Sequence, residues 1–187
     1  LCGHPGWGSY CGALADAYEQ GARQAGHEVR RQDLAGMDFD PNLAGGHYGT
    51  DRPLEPDLET FWENLQWCDH FVLSHPLWWG GHPARLKGVF DRVLLPGAAF
   101  APPEGVGFAE PLLKGRSTRV LITGDTPGWF LRLGYGAPVL KQTNRQIFRY
   151  CGLKPNRFTV FAPIKAASED KRGAWLSRTE ALGARAA

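Results

Sequence analysis

The chain has 187 residues, 43% hydrophobic and 21% charged, which suits the core of one globular domain of ordinary size. A formal net charge of +2, with nothing longer than a basic pair such as Arg30-Arg31, excludes the clustered basic face that nucleic acid requires. No apolar stretch reaches membrane-span length and no signal peptide is visible. Cys2, Cys11, Cys68 and Cys151 lack metal-ligand spacing, so the composition predicts a cytoplasmic protein with reduced thiols and no metal.

In chain order, Leu1-Cys2-Gly3 reads as the tail of a strand whose beginning precedes this numbering. Leu14, Tyr18, Gly21, Ala22 and Ala25 then recur at helical spacing, predicting a helix over Ala13–Ala25 stopped by Gly26. His27–Gln32 is a polar, edge-type strand candidate, and Leu34–Pro56 a long irregular excursion rich in Gly, Pro, Asp and Asn. Leu58, Phe61, Trp62 and Leu65 mark a second helix ending near Cys68. The strand Phe71–Ser74 and a turn over His75–Pro83 follow. A third helix carries Leu86, Val89, Phe90, Val93 and Leu94 on one face, and Pro102–Gly107 is a loop. Arg119–Thr123 is a strand ending in a Gly-Asp-Thr-Pro-Gly turn. Beyond it come a helix over Val139–Tyr150, a strand Phe158–Phe161 and a helix Lys171–Leu182. Strands and helices alternate throughout, which predicts an α/β domain over residues 1–187. Its parallel sheet has five strands, counting the one that ends at Gly3, with helices on both faces.

Three turns, Gly3–Gly12, His75–Pro83 and Thr123–Trp129, follow strands and share the carboxyl edge of such a sheet, where ligands bind. The first opens a helix, and free amides at a helix N-terminus attract anions, with Ser9 and His4 as added donors. It lacks the lysine of a nucleotide P-loop. It also misses the dinucleotide fingerprint, because Cys11 stands where the third glycine belongs after Gly6 and Gly8. The second turn holds the adjacent Trp78 and Trp79. Its flanking His75 and His82 have no third partner spaced to hold a metal, and read as structural. The third pairs Thr123, Gly124, Asp125 and Thr126 with the aromatic Trp129 and Phe130. No nucleophile elbow is present, so acyl transfer is not expected.

Together the His4-Pro5…Ser9-Tyr10 turn, the segments AGHEVRRQDL and GMDFDP, the run HPLWWGGHPARLKGVFDRVLLPGAAF, the TGDTPGWF turn and the ending YCGLKPNRFTVF resemble the NAD(P)H:quinone oxidoreductases of the flavodoxin-like fold. These are the DT-diaphorase type and its short bacterial relatives. The resemblance implies a doubly wound three-layer domain with strand order 2-1-3-4-5, a bound flavin (FMN or FAD) and a homodimer with each site at the subunit interface. It implies that His4, Ser9 and Tyr10 hold flavin phosphate. Pro76, Leu77, Trp78, Trp79, Thr123, Gly124, Asp125 and Thr126 would border the isoalloxazine, with one of the two tryptophans facing it. NAD(P)H would reduce the flavin and leave before a quinone-like acceptor takes the hydride. The vertebrate-type enzymes carry a Tyr and a His after strand 4. Pro127 and Leu133 stand there in this chain, so neither role transfers, and Tyr135 is the nearby candidate proton donor. Trp129 and Phe130 are the candidate substrate pocket. Two rival readings are a flavin-binding ancillary subunit of a membrane transport system and a flavin-free Rossmann enzyme.

Overall fold

The computed structural model describes residues 1–43 and 53–186, so only part of the Leu34–Pro56 excursion falls within it. Helix α1 spans Tyr10–Gln24, longer at its start than the predicted Ala13. Ser9 supplies the cap, its side chain accepting a hydrogen bond from the Gly12 amide. Helices α2 (Pro56–Trp67) and α3 (Ala84–Val93) come next, on either side of strand β1 (His70–Pro76). Phe100–Ala101 (β2) and Glu110–Pro111 (β3) form a short antiparallel pair around the Pro102–Gly107 loop. Strand β4 (Ser117–Thr123) leads into a six-residue helix α4 (Gly128–Leu133) that the turn-rich sequence concealed. The predicted Val139–Tyr150 helix is realised as α5 (Pro138–Lys141), a π-helical segment Gln142–Phe148 and α6 (Arg149–Cys151). Strand β5 (Asn156–Phe161) and helix α7 (Glu169–Ala184) follow, α7 capped by Ser168 accepting from the Lys171 amide.

The sheet is parallel, in the order β1-β4-β5. Two of the five expected strands are reduced to single bridges among the described residues. Cys2 bridges Asp33 on one side and Ser74 on the other, and His27–Gln32 is not a strand. The Leu1–Gly3 segment lies between the segment around Asp33 and β1. Its bonds are Cys2 N–H to Gln32 O (2.9 Å), Gly3 N–H to Ser74 O (2.7 Å) and Leu34 N–H to Cys2 O (2.9 Å).

Alternation along the strands sends side chains to two cores, which makes three layers. Phe71, Leu73, Val120 and Ile122 pack with Leu58, Phe61, Leu65, Leu86, Val89, Phe90 and Phe148 on one face. On the other, Leu121 and Phe161 pack with Leu14 and Tyr18 of α1, and Trp175 and Leu176 of α7 close over them. Helices α1 and α7 touch backbone to backbone. A Cβ on Gly21 would lie 2.0 Å from the Glu180 carbonyl oxygen, and one on Gly183 would lie 2.0 Å from that of Tyr18.

Candidate active site

The β1 and β4 ends and the segment after Cys2 carry the three turns to one edge of the sheet, because Cys2 bridges Ser74 and Pro76 registers with Thr123. In the first turn Gly8 takes a left-handed conformation (φ 71°) just ahead of the Ser9 cap, with open space where a Cβ would stand. The helix behind it is 15 residues long, and its first amides, at Tyr10 and Cys11, have no carbonyl one turn earlier within the helix. That is an anion cradle with the positive end of a macrodipole behind it. The His4 Nδ1 lies 3.0 Å from the Gly6 amide nitrogen and 2.8 Å from the Gly6 oxygen, which leaves Nε2 as the nitrogen available to a ligand. A cavity of about 390 Å³ adjoins this turn, lined by His4, Trp7, Ser9, Asp16 and Arg31 among others. The Arg31 guanidinium there bonds Asp33 (2.9 Å) and Asp16 (2.5 Å), and these bonds keep it charged.

The second turn is a two-residue reversal in which Trp78 and Gly81 exchange backbone hydrogen bonds of 3.1 and 2.9 Å. Its tip, Trp79-Gly80, is left-handed at both positions (φ 49° and 76°), the geometry of a primed hairpin turn. This separates the two tryptophans. Trp78 is 45% exposed and meets the His4 ring edge-on, centroids 5.7 Å apart, whereas Trp79 stands fully in solvent. Leu77 donates its amide to Thr123 O (2.7 Å), and a Cβ on Gly124 would stand 3.4 Å from the Leu77 Cβ, so the second and third turns touch.

The third turn is tied back to the segment after β5. Gly124 donates to Phe161 O (3.2 Å) and accepts from the Ile164 amide (2.9 Å), and Asp125 Oδ1 accepts from the Lys165 amide (2.9 Å). Thr123 is buried with its hydroxyl 3.0 Å from Cys11 Sγ, and burial pushes that thiol up to about 12. Trp129, Phe130 and Tyr135 form an exposed edge-to-face row, with centroids 5.5 and 4.9 Å apart. The structure thus gathers His4, Ser9, Pro76, Leu77, Trp78 and Gly124. It places Tyr10 elsewhere, with its hydroxyl donating to Arg172 O (2.7 Å) and its ring edge-on to Trp175. Sequence reasoning set aside His75 and His82 as structural flanks. Both lie directly beneath the second turn, and the signal that could have found them is their position bracketing it.

A larger cavity of about 700 Å³ lies between the segment around Val29 and the strand around Val72, and includes no residue of the three turns. It meets α2 at its C-terminal end, Trp67 and Cys68, and has no helix N-terminus or glycine cradle, so the carboxyl edge remains the candidate site. Among the described residues no three His, Cys, Asp or Glu side chains group as metal ligands, and no helix is long and apolar enough to cross a membrane.

A parallel sheet whose carboxyl-edge turns combine a capped helix N-terminus with an aromatic wall defines an α/β ligand-binding protein of the doubly wound class. The chain belongs to the family described as Flavodoxin-like fold, which it matches over residues 1–182. A curated relative from Ruegeria pomeroyi, named FMN-dependent NADH:quinone oxidoreductase, is 31% identical over 90% of this chain and 89% of its own length. Another, from Haemophilus influenzae and named uncharacterized NAD(P)H oxidoreductase, is 29% identical over 90% of this chain and 84% of its own. A Streptococcus mutans protein of known crystal structure superposes with a TM-score of 0.84 at 24% identity, covering 98% of this chain and 96% of that one, and shares the fold.

Proposed function

We propose that this protein is an NAD(P)H oxidoreductase that binds FMN at the carboxyl edge of its sheet and passes hydride to quinone-like acceptors. The observation that carries the reading is the contact between the two halves of the edge. The His4 ring of the anion cradle meets the half-exposed Trp78 of the aromatic wall at 5.7 Å, so a phosphate and a flat ring would share one continuous surface. The names of the Ruegeria pomeroyi and Haemophilus influenzae relatives support FMN, a nicotinamide donor and a quinone-like acceptor.

Bound flavin supplies the hydride chemistry, and the protein supplies place and polarity. Ser9 fixes the start of α1 so that the Tyr10 and Cys11 amides face the phosphate, and His4 adds a ring nitrogen beside them. Pro76, Leu77 and Trp78 form the wall for the ring system, and Gly124 and Thr126 its far border. The row of Trp129, Phe130 and Tyr135 is the proposed ledge for the acceptor, with Tyr135 the candidate proton donor. A second copy of the chain is proposed to cover part of this exposed aromatic surface, and the cytoplasm is the proposed setting. The purified protein mixed with FMN is expected to retain a yellow chromophore through gel filtration, to bleach with NADH or NADPH under nitrogen, and to recover colour on addition of a quinone. A protein that takes up neither FMN nor FAD would overturn the proposal.

A further inference from the structure

Beneath the second turn lies a pair of histidines for which the proposed function has no use so far. His75 is fully buried, and its Nδ1 donates to the Pro76 carbonyl at 2.8 Å. A carbonyl only accepts, so the proton sits on Nδ1 and His75 Nε2 is a bare acceptor. That nitrogen is buried and has no partner among the described residues. The His82 ring lies against it, centroids 4.8 Å apart and tilted by 42°, and Phe90 closes another edge of His82 at 5.6 Å. Thr143 gives its hydroxyl proton to Val139 O (2.7 Å), so it accepts from His82 Nε2 at 3.0 Å. The first turn presses on the same place, since a Cβ on Gly3 would stand 3.3 Å from the His75 Cβ. Burial pushes His75 down to about 3 and His82 down to about 4, the latter also lowered by Lys87, so both rings are neutral near pH 7.

The peptide between Pro76 and Leu77 is therefore held at both ends. Its N–H goes to Thr123 O at 2.7 Å, and its C=O receives the His75 Nδ1 hydrogen. We infer that His75 is a positioning residue that fixes the Pro76–Trp78 wall through the Pro76 carbonyl, with His82 and Thr143 holding its ring in place. A phenylalanine would fill the same space without burying an unpartnered nitrogen, which lowers stability. What the imidazole adds over a hydrocarbon ring is the donor to Pro76. The geometry stands by itself, and only its consequence for FMN rests on the function proposed above.

The test compares His75→Phe with His75→Asn, whose amide nitrogen can take the place of Nδ1. His75→Phe is expected to keep or raise the melting temperature of the ligand-free protein, to speed hydrogen exchange of the Leu77 amide, and to weaken FMN binding about tenfold, the worth of one good hydrogen bond. His75→Asn is expected to recover most of that affinity despite a lower melting temperature from the space it leaves. A role in packing alone would make affinity follow melting temperature across both variants, and that result overturns the inference. So does unchanged Leu77 exchange in His75→Phe. If the native protein takes up no FMN, the flavin reading fails, and Leu77 exchange in the ligand-free variants still decides this one. Should His75→Phe not fold, the ¹⁵N signature of the native His75 ring decides: an Nδ1–H tautomer with a bare Nε2 is expected, and an Nε2–H tautomer overturns the inference.

Discussion

Trp78 and Trp79 show how far single residues can be read in advance. Their place at the end of a strand marked a ligand wall, but which ring faces inward depends on a backbone choice. That choice is the left-handed pair Trp79-Gly80, and no periodicity encodes it. Tyr10 makes the opposite point. It adjoins the anion cradle in sequence, yet its side chain is directed by partners more than 160 residues away, donating to Arg172 O and packing on Trp175. Tyr10→Phe is accordingly expected to cost about 1 kcal/mol of stability, the net worth of one hydrogen bond, and to leave FMN affinity unchanged. Urea unfolding and a fluorescence titration of the same sample check both halves. A large loss of affinity with no loss of stability would return Tyr10 to the phosphate turn.

At the scale of elements, the alternation of strands and helices was legible because apolar runs such as Phe71–Leu73 and Val120–Ile122 lie in a sheet buried on both faces. Helix α4 was not, because six residues between Pro127 and Gly134 carry too few turns to show a period. His27–Gln32 reads as an edge strand with Val29 its one strongly apolar residue, and it forms no ladder among the described residues. The described parts of the long excursion are tied to α3. Arg92 of α3, almost fully buried, donates to Asp40 O (2.6 Å) on one side of it and Pro53 O (3.3 Å) on the other, and pairs with Glu55 at 2.8 Å. Pro41 lies so close to α3 that a Cβ on Gly88 would come within 2.4 Å of the Pro41 Cβ. One side chain thus gathers both ends of the excursion. Arg92→Met should cost about 2 kcal/mol, the loss of the hydrogen bonds made by one buried charged side chain. Limited proteolysis should then cut first within residues 37–55. Cutting elsewhere first, at undiminished stability, would show that the excursion is held by other means.

At the scale of the whole molecule, three imidazoles, His75 fully buried and His70 and His82 partly so, set the acid limit. His70 lies between Ser117 Oγ (2.7 Å) and Tyr18 Oη (3.0 Å) and is pushed down to about 4, by burial first and then by Arg119, Arg157 and His27. His75 and His82 are lowered to about 3 and about 4. Each folded-state value lies below the ordinary 6.5, so the unfolded chain binds more protons throughout that interval. These rings should add no pH dependence above about pH 7 and should lower stability as the pH drops from 6.5 toward 4, with an uptake of about two to three protons on unfolding. Denaturant melts at half-unit pH steps measure this, and a flat profile across the window would mean that the rings are open to water. The glycine contacts between α1 and α7 bear on how such a chain is made. Leu14 and Tyr18 belong to a helix complete by residue 24, but the surface that Gly21 fits against is supplied by Glu180 and its neighbours. During synthesis the first helix must therefore wait, its apolar side uncovered, while some 150 residues are added, an estimate that follows from non-local contacts being paid for late. The emerging chain is most open to chaperones and to misassembly in that interval, and the arrival of residues 169–184 ends it.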